Sequence, residues 1–137
     1  MTRNQTVEIN HLTVLQIQYL TELEQLEKGR GTIGAVATKC GVKHPTVSRF
    51  FKSCIEKGYL TESLEFTDKG KKMLRWHQKV QKDVREYLER SGITEGIDDV
   101  LKGMIENIDY RRLEELTKSH MRINKEIRMQ KEQNQIR

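Results

Sequence analysis

Apolar residues recur at helical spacing through most of this chain, and the gaps between the stripes mark where the helices end. Thr13-Val-Leu-Gln16 has the spacing of a capping box, in which each side chain satisfies the other residue's free backbone amide, so a first helix is predicted to begin there. Val14, Ile17, Leu20, Leu23 and Leu26 form its core stripe, and Lys28-Gly-Arg-Gly31 ends it; residues 1–11 before it read as a polar arm. Thr32 can cap a short second helix, Ile33 to Cys40, whose Gly34, Ala35 and Ala37 would let another helix approach closely. Gly41 then supplies a left-handed turn that a Cβ would penalise. His44-Pro45 starts a third helix at once, because proline is favoured in the first turn, where its missing N–H is no loss. Val47, Phe50, Phe51, Cys54 and Ile55 make one apolar stripe on it, leaving Thr46, Ser48, Arg49, Lys52 and Ser53 on other faces. Helix, glycine turn, helix with a polar N-terminal face is the helix-turn-helix pattern.

After Gly58, Tyr59 to Phe66 has the length of two very short strands around a tight turn, a minimal wing. Thr67-Asp-Lys-Gly70 opens a long polar helix to about Arg90, with a narrow stripe of Met73, Trp76 or His77, Val80, Val84 and Tyr87 with Leu88. So narrow a stripe suits packing against another helix. Two more amphipathic helices are predicted, Ile97 to Ile108 and Asp109 to about Ile127, through Val100, Leu101, Met104, Ile105, Leu113 and Leu116. The expected fold is therefore mainly α: a winged helix-turn-helix domain over residues 12–70, a helical dimerisation region over 71–127, and a polar tail over 128–137.

Composition changes this picture little, but charge changes it considerably. Of the 137 residues 35% are apolar and 33% charged, as in a helical protein with much exposed surface, and that size makes burial shared between two subunits useful. No run approaches the roughly 18 apolar residues of a membrane span, and the N-terminus has no apolar signal core, so a cytoplasmic protein with no membrane contact is expected. Cys40 and Cys54 fit no disulfide framework or zinc spacing and read as small buried hydrophobes. Residues 39–57 carry Lys39, Lys43, Arg49, Lys52 and Lys57 against Glu56 alone, and residues 67–85 hold seven bases against Asp68 and Asp83. Residues 86–116 reverse the balance, with nine acids against four bases. A basic module facing a polyanion, attached to a part that does not, fits this segregation.

The predicted polyanion is double-stranded DNA. A recognition helix needs short polar and basic side chains at its N-terminal end, with phosphate contacts around it. His44, Thr46, Ser48 and Arg49 are expected nearest the base edges, and Lys43, Lys52 and the Thr32 region nearer phosphates, since backbone amides at helix starts also bind phosphate oxygens; Pro45 is counted with them on the DNA-binding face. The plainer alternative is a solvated face on an ordinary helical hairpin.

Thr32 to Arg49, followed by Glu56-Lys-Gly-Tyr-Leu60 and Phe66-Thr-Asp-Lys-Gly70, resembles the winged helix of the iron- and manganese-dependent repressors, the diphtheria-toxin-repressor type. The resemblance continues through Tyr87 to Ile93 and Asp99 to Leu116, which look like that family's dimerisation helices. It implies a repressor acting as a homodimer on an operator, with divalent manganese or iron as corepressor. The family's metal ligands do not carry over position by position. The acids of its first helix fall near Gln16 to Leu20, where there is none, and its long-helix histidine falls at Gln81. Its third cluster falls on Lys102 or Gly103, Ile105 or Glu106, and Glu106 or Asn107, so at most Glu106 survives. One carboxylate does not form a transition-metal site. A shifted site would have to use His77, Glu106 and His120, and no cofactor is expected.

The wing departs too: Glu62-Ser-Leu-Glu65 offers acids where a basic tip usually tracks the minor groove. Two alternatives keep the fold. One is a MarR-type regulator answering to a small ligand, which the capping box before the first helix also resembles; the other is a winged-helix protein-interaction module that has given up DNA. Enzymatic function has least support, because the sequence has no Gly-rich phosphate loop, no convincing Ser or Cys nucleophile beside a histidine, and no paired carboxylates in an apolar setting.

Overall fold

The computed structural model describes residues 12–26 and 32–135; the predicted polar arm 1–11, the Lys28-Gly-Arg-Gly31 turn and the last two residues of the tail lie outside them. Among the described residues the chain forms α1 (Val14–Gln25), α2 (Thr32–Cys40), α3 (His44–Glu56), α4 (Asp68–Arg90), α5 (Ile97–Asn107) and α6 (Tyr110–Gln135). They pack as two units that part between Lys79 and Val80, within α4.

The first unit begins with the predicted capping box: the Gln16 amide donates to Thr13 Oγ1 at 3.1 Å, and the Thr13 amide to Gln16 Oε1 at 3.0 Å. Its core joins Ile17, Leu20 and Leu23 of α1, Val36 and Ala37 of α2, Val47, Phe51 and Cys54 of α3, and Met73 and Leu74 of α4. Tyr19 is also buried and meets the edge of the Phe50 ring, a contact that the stripe of aliphatic positions did not reveal. The long stripe of α4 resolves onto His77 rather than Trp76: His77 is fully buried, whereas Trp76 is half-buried.

The wing differs from expectation. Among the described residues no strand forms, and the segment predicted as two short strands closes on a single antiparallel bridge between Leu60 and Phe66. The cause is a shortage of chain. The Gly58 turn ends α3, with the Tyr59 amide donating to the Cys54 carbonyl at 2.9 Å, and Thr67 is already engaged at the start of α4. The residues left between them hold one tight turn, in which the Leu64 amide donates to the Thr61 carbonyl at 2.9 Å and the Thr61 amide to the Glu65 carbonyl at 2.8 Å.

In the second unit Val80, Val84 and Leu88 of α4, Leu101 and Ile105 of α5, and Tyr110, Leu113 and Thr117 of α6 are buried. Tyr110 satisfies its hydroxyl by accepting from the Gln81 amide at 3.0 Å, and the Thr117 hydroxyl donates to the Leu113 carbonyl at 3.0 Å. Val100 and Leu116, expected inside, are exposed, and α6 runs on to Gln135, beyond the predicted end near Ile127. Arg85 pairs with Asp98 at the surface.

Burial pushes the Tyr110 phenol up to about 12, and the Gln81 hydrogen bond partly offsets this. The folded state thus favours the neutral phenol, so its contribution is complete below the ordinary tyrosine value near 10 and is lost as pH rises through about 12. Denaturant midpoints measured from pH 8 to 12 are expected to fall above pH 10, with Tyr110→Phe reducing the fall by on the order of 2 kcal/mol by pH 12. Identical curves for the two proteins would refute this.

Candidate nucleic-acid interface

The turn between α2 and α3 is closed by Gly41, whose φ of +69° opens a complete C-terminal motif. The Val42 amide donates to the Ala37 carbonyl at 3.0 Å and the Gly41 amide to the Thr38 carbonyl at 3.2 Å. Extended Lys43 then leads into α3, whose first turn contains Pro45, has no side-chain cap and has no acidic residue. The positive end of the α3 dipole therefore meets no compensating side chain from its own cap or first turn.

Val47, Phe51 and Cys54 anchor α3 in the core, with Phe50 and Ile55 half-buried beside them. On the outer side Pro45, Arg49 and Lys52 fall within about a quarter turn of one another at 3.6 residues per turn, and all three are exposed. Thr46 is exposed on one edge of this stripe, and half-buried Ser48 lies on the other. Lys43 and His44 are exposed at its N-terminal end. Thr32 is half-buried as the first residue of α2, one position earlier than predicted, so its expected capping place falls to a residue outside those described. The seven predicted residues from Lys43 to Lys52 are thus gathered on the outer surface and N-terminal end of one helix. Ser53 is half-exposed beside them.

The cations of this face are not engaged within the chain's described part. Some cations elsewhere are paired: Lys39 with Glu22 at 3.5 Å, Arg75 with both carboxylate oxygens of Glu24 at 3.0 and 2.5 Å, and Lys118 with Glu114 at 3.5 Å. Lys43, Arg49 and Lys52 have no carboxylate partner among the described residues. Their charges are available to an external anion.

The wing is clasped to α4 by a set of contacts that sequence reading missed. The Thr67 hydroxyl donates to the Gly58 carbonyl at 2.6 Å and accepts from the Gly70 amide at 3.0 Å, while the Thr67 amide donates to the Tyr59 carbonyl at 3.1 Å. Lys69 donates to the Lys57 carbonyl at 2.9 Å and lies 5.1 Å from the centre of the Tyr59 ring. A Cβ on Gly70 would stand 2.8 Å from the Tyr59 carbonyl carbon and closer still to its oxygen. The one available signal was a glycine inside a helix, where it costs about 1 kcal/mol relative to alanine. Glu62 and Glu65 are both exposed on the wing, so the acids lie at its surface.

The positions that would hold a regulatory metal do not fit one. Gln81 is committed to Tyr110, and Ile105 is in the core. Of the shifted candidates, His77 contacts the Met73 carbonyl through Nδ1 at 2.7 Å, His120 packs edge-on against the Tyr87 ring, and Glu106 is exposed. Among the described residues no group of three or more His, Cys, Asp or Glu side chains could hold a metal ion. The cysteines are not activated nucleophiles. Burial pushes the Cys54 thiol up to about 12 despite Lys57, and burial with Glu22 nearby raises Cys40 against the opposing charge of Lys39. No helix among the described residues is long and apolar enough to cross a membrane.

Three helices around a shared core, a glycine turn before an outward-facing third helix, and a one-rung wing clasped to a fourth define a winged helix-turn-helix protein. Residues 10–94 match the family described as wHTH-PRTase associated, well over half of the chain, and the chain belongs to that family. The match takes in α1 to α4 and stops before α5, and the family it names is not that of the iron- and manganese-dependent repressors. No curated protein and no solved structure matches the chain.

Proposed function

We propose that this chain is a cytoplasmic transcription regulator, most simply a repressor, that binds a double-stranded DNA operator as a homodimer, without enzymatic activity and without a resident metal or cofactor. The observation that carries the reading is the exposed α3 face from Lys43 to Lys52, where three cations have no carboxylate partner among the described residues and stand beside a helix start without a side-chain cap. Arg49 at the centre of the stripe suits bidentate recognition of guanine, with Thr46 and Ser48 reading neighbouring bases and Lys43 and Lys52 reaching phosphates. His44 and Pro45 set the approach of the helix start.

The test is selection of bound duplexes from fragmented genomic DNA, with and without manganese or iron, followed by affinity measurement across salt concentrations. The expected product is a palindrome with half-sites about 34 Å apart, whose log affinity falls linearly with log salt and is indifferent to the metals. Failure to bind any genomic duplex, or binding independent of salt, would overturn the DNA reading. Recovery only in the presence of metal would overturn the metal-free part.

A second reading is favoured by the family's description, which couples the winged helix to a PRTase. In it the module serves in assembly with that protein, and the acidic wing tip of Glu62 and Glu65 is a contact surface rather than a groove reader. Co-purification with a PRTase that is unaffected by Arg49→Ala but lost on Glu62→Lys with Glu65→Lys would favour it.

A further inference from the structure

On α6 the side chains that face the core of the second unit are Tyr110, Leu113 and Thr117, with His120 half-buried. About a quarter turn around the helix from that stripe, a second apolar row stands in solvent: Leu116 is 39% exposed, Ile123 56% and Ile127 46%. Every described side chain from Arg122 to Asn134 is exposed. The row has heptad spacing. Leu116, Ile123 and Gln130 take the d positions, and His120, Ile127 and Asn134 the a positions.

The occupant of this face follows from its charges. In a parallel, in-register pairing of two copies, Ile123 meets Ile123, Ile127 meets Ile127, and Asn134 meets Asn134 at an a position, an arrangement that specifies two parallel strands. Glu126 then falls at g and faces Lys131 at e of the second copy, and the pair occurs twice by symmetry. The antiparallel pairing centred on the same isoleucines places Glu126 against Glu126 and Asn134 against Leu116. It combines like charges with a polar group opposed by an apolar one. The sequence is therefore complementary to itself in one direction only.

We propose that α6 is a self-association surface, pairing with α6 of a second copy of this chain as a short parallel coiled coil through Ile123, Ile127 and Asn134, with Glu126 and Lys131 of the two copies matched across the seam. This deepens the homodimer part of the proposed function, and its test requires no DNA.

Sedimentation equilibrium of the full chain over a range of concentrations is expected to show reversible association from 16.2 kDa to twice that mass. Ile123→Glu with Ile127→Glu is expected to weaken association by more than about tenfold, since two apolar layers of the seam are lost. Circular dichroism and a thermal melt would verify that this variant folds. Because both positions are exposed in the single chain, the core is untouched. A charge exchange fixes direction and register: Lys131→Glu alone weakens association several-fold, and adding Glu126→Lys restores it. A monomer at every concentration, association indifferent to the isoleucine changes, or a Lys131→Glu effect that is absent or is not reversed by Glu126→Lys would each overturn the proposal. DNA binding by a protein that fails this test would leave the operator reading standing and remove only the seam.

Discussion

Gly70→Ala is expected to lower the stability of the winged-helix unit by about 2–3 kcal/mol, at the upper end of overpacking penalties, and its melting temperature by roughly 10 °C or more. The usual effect of this substitution in a helix is the opposite, a gain of about 1 kcal/mol. Here the new methyl group meets backbone, not a flexible side-chain end: the Tyr59 carbonyl carbon is 2.8 Å away, and its oxygen closer. That carbonyl also accepts from the Thr67 amide, so it cannot withdraw without loosening the clasp between wing and α4. Gly103→Ala in α5 is the control, because a Cβ there meets nothing within 4 Å. Calorimetry or denaturant titration should find Gly103→Ala neutral or stabilising and Gly70→Ala clearly destabilising. Equal stabilities would show that α4 and the wing do not approach as described.

Arg49→Ala is expected to weaken binding to the preferred duplex by about 10- to 100-fold and to flatten the preference among bases at one position of each half-site. Lys52→Ala should act differently, weakening all duplexes alike and lowering the magnitude of the salt slope by about 1. The distinction rests on shape and charge. A guanidinium presents a planar fork of donors that matches guanine, whereas an ammonium is a point charge suited to phosphate. Neither side chain has a carboxylate partner among the described residues, so neither change breaks an internal ion pair, and melting temperatures should remain within a few degrees. A fluorescence-anisotropy series over point-substituted duplexes separates the two effects. Uniform losses for both variants would remove Arg49 from base recognition.

The parts of this molecule legible in the sequence are those governed by local rules. The Thr13 and Gln16 capping box, the Gly41 turn, the proline-started third helix and its buried row of Val47, Phe51 and Cys54 all depend on residues within a few positions of one another. So does the outward display of Lys43 to Lys52. What was not legible depends on partners distant in sequence. Tyr110 is buried because Gln81 reaches its hydroxyl across 29 positions. The close approach of Gly70 to Tyr59 is likewise a tertiary fact. On α6 the apolar pattern contains two adjacent rows, and periodicity alone does not say which one the core covers. Leu116 was assigned to the core, but Tyr110 and Thr117 fill it and Leu116 stands outside. The wing was overread for a related reason: its composition favours strands, but the clasp uses up the chain that a second rung would need.

The division of labour within α3 bears on how this protein can change over generations. The residues that hold the helix in place and the residues that it displays are separate sets: Val47, Phe51 and Cys54 pack inward, whereas Pro45, Arg49 and Lys52 project outward. Substitution of Arg49 or Lys52 leaves that packing intact, so under the proposed DNA reading the third helix is an exchangeable reading head. A duplicated copy could acquire a new target through a few surface changes, without first acquiring stabilising mutations elsewhere.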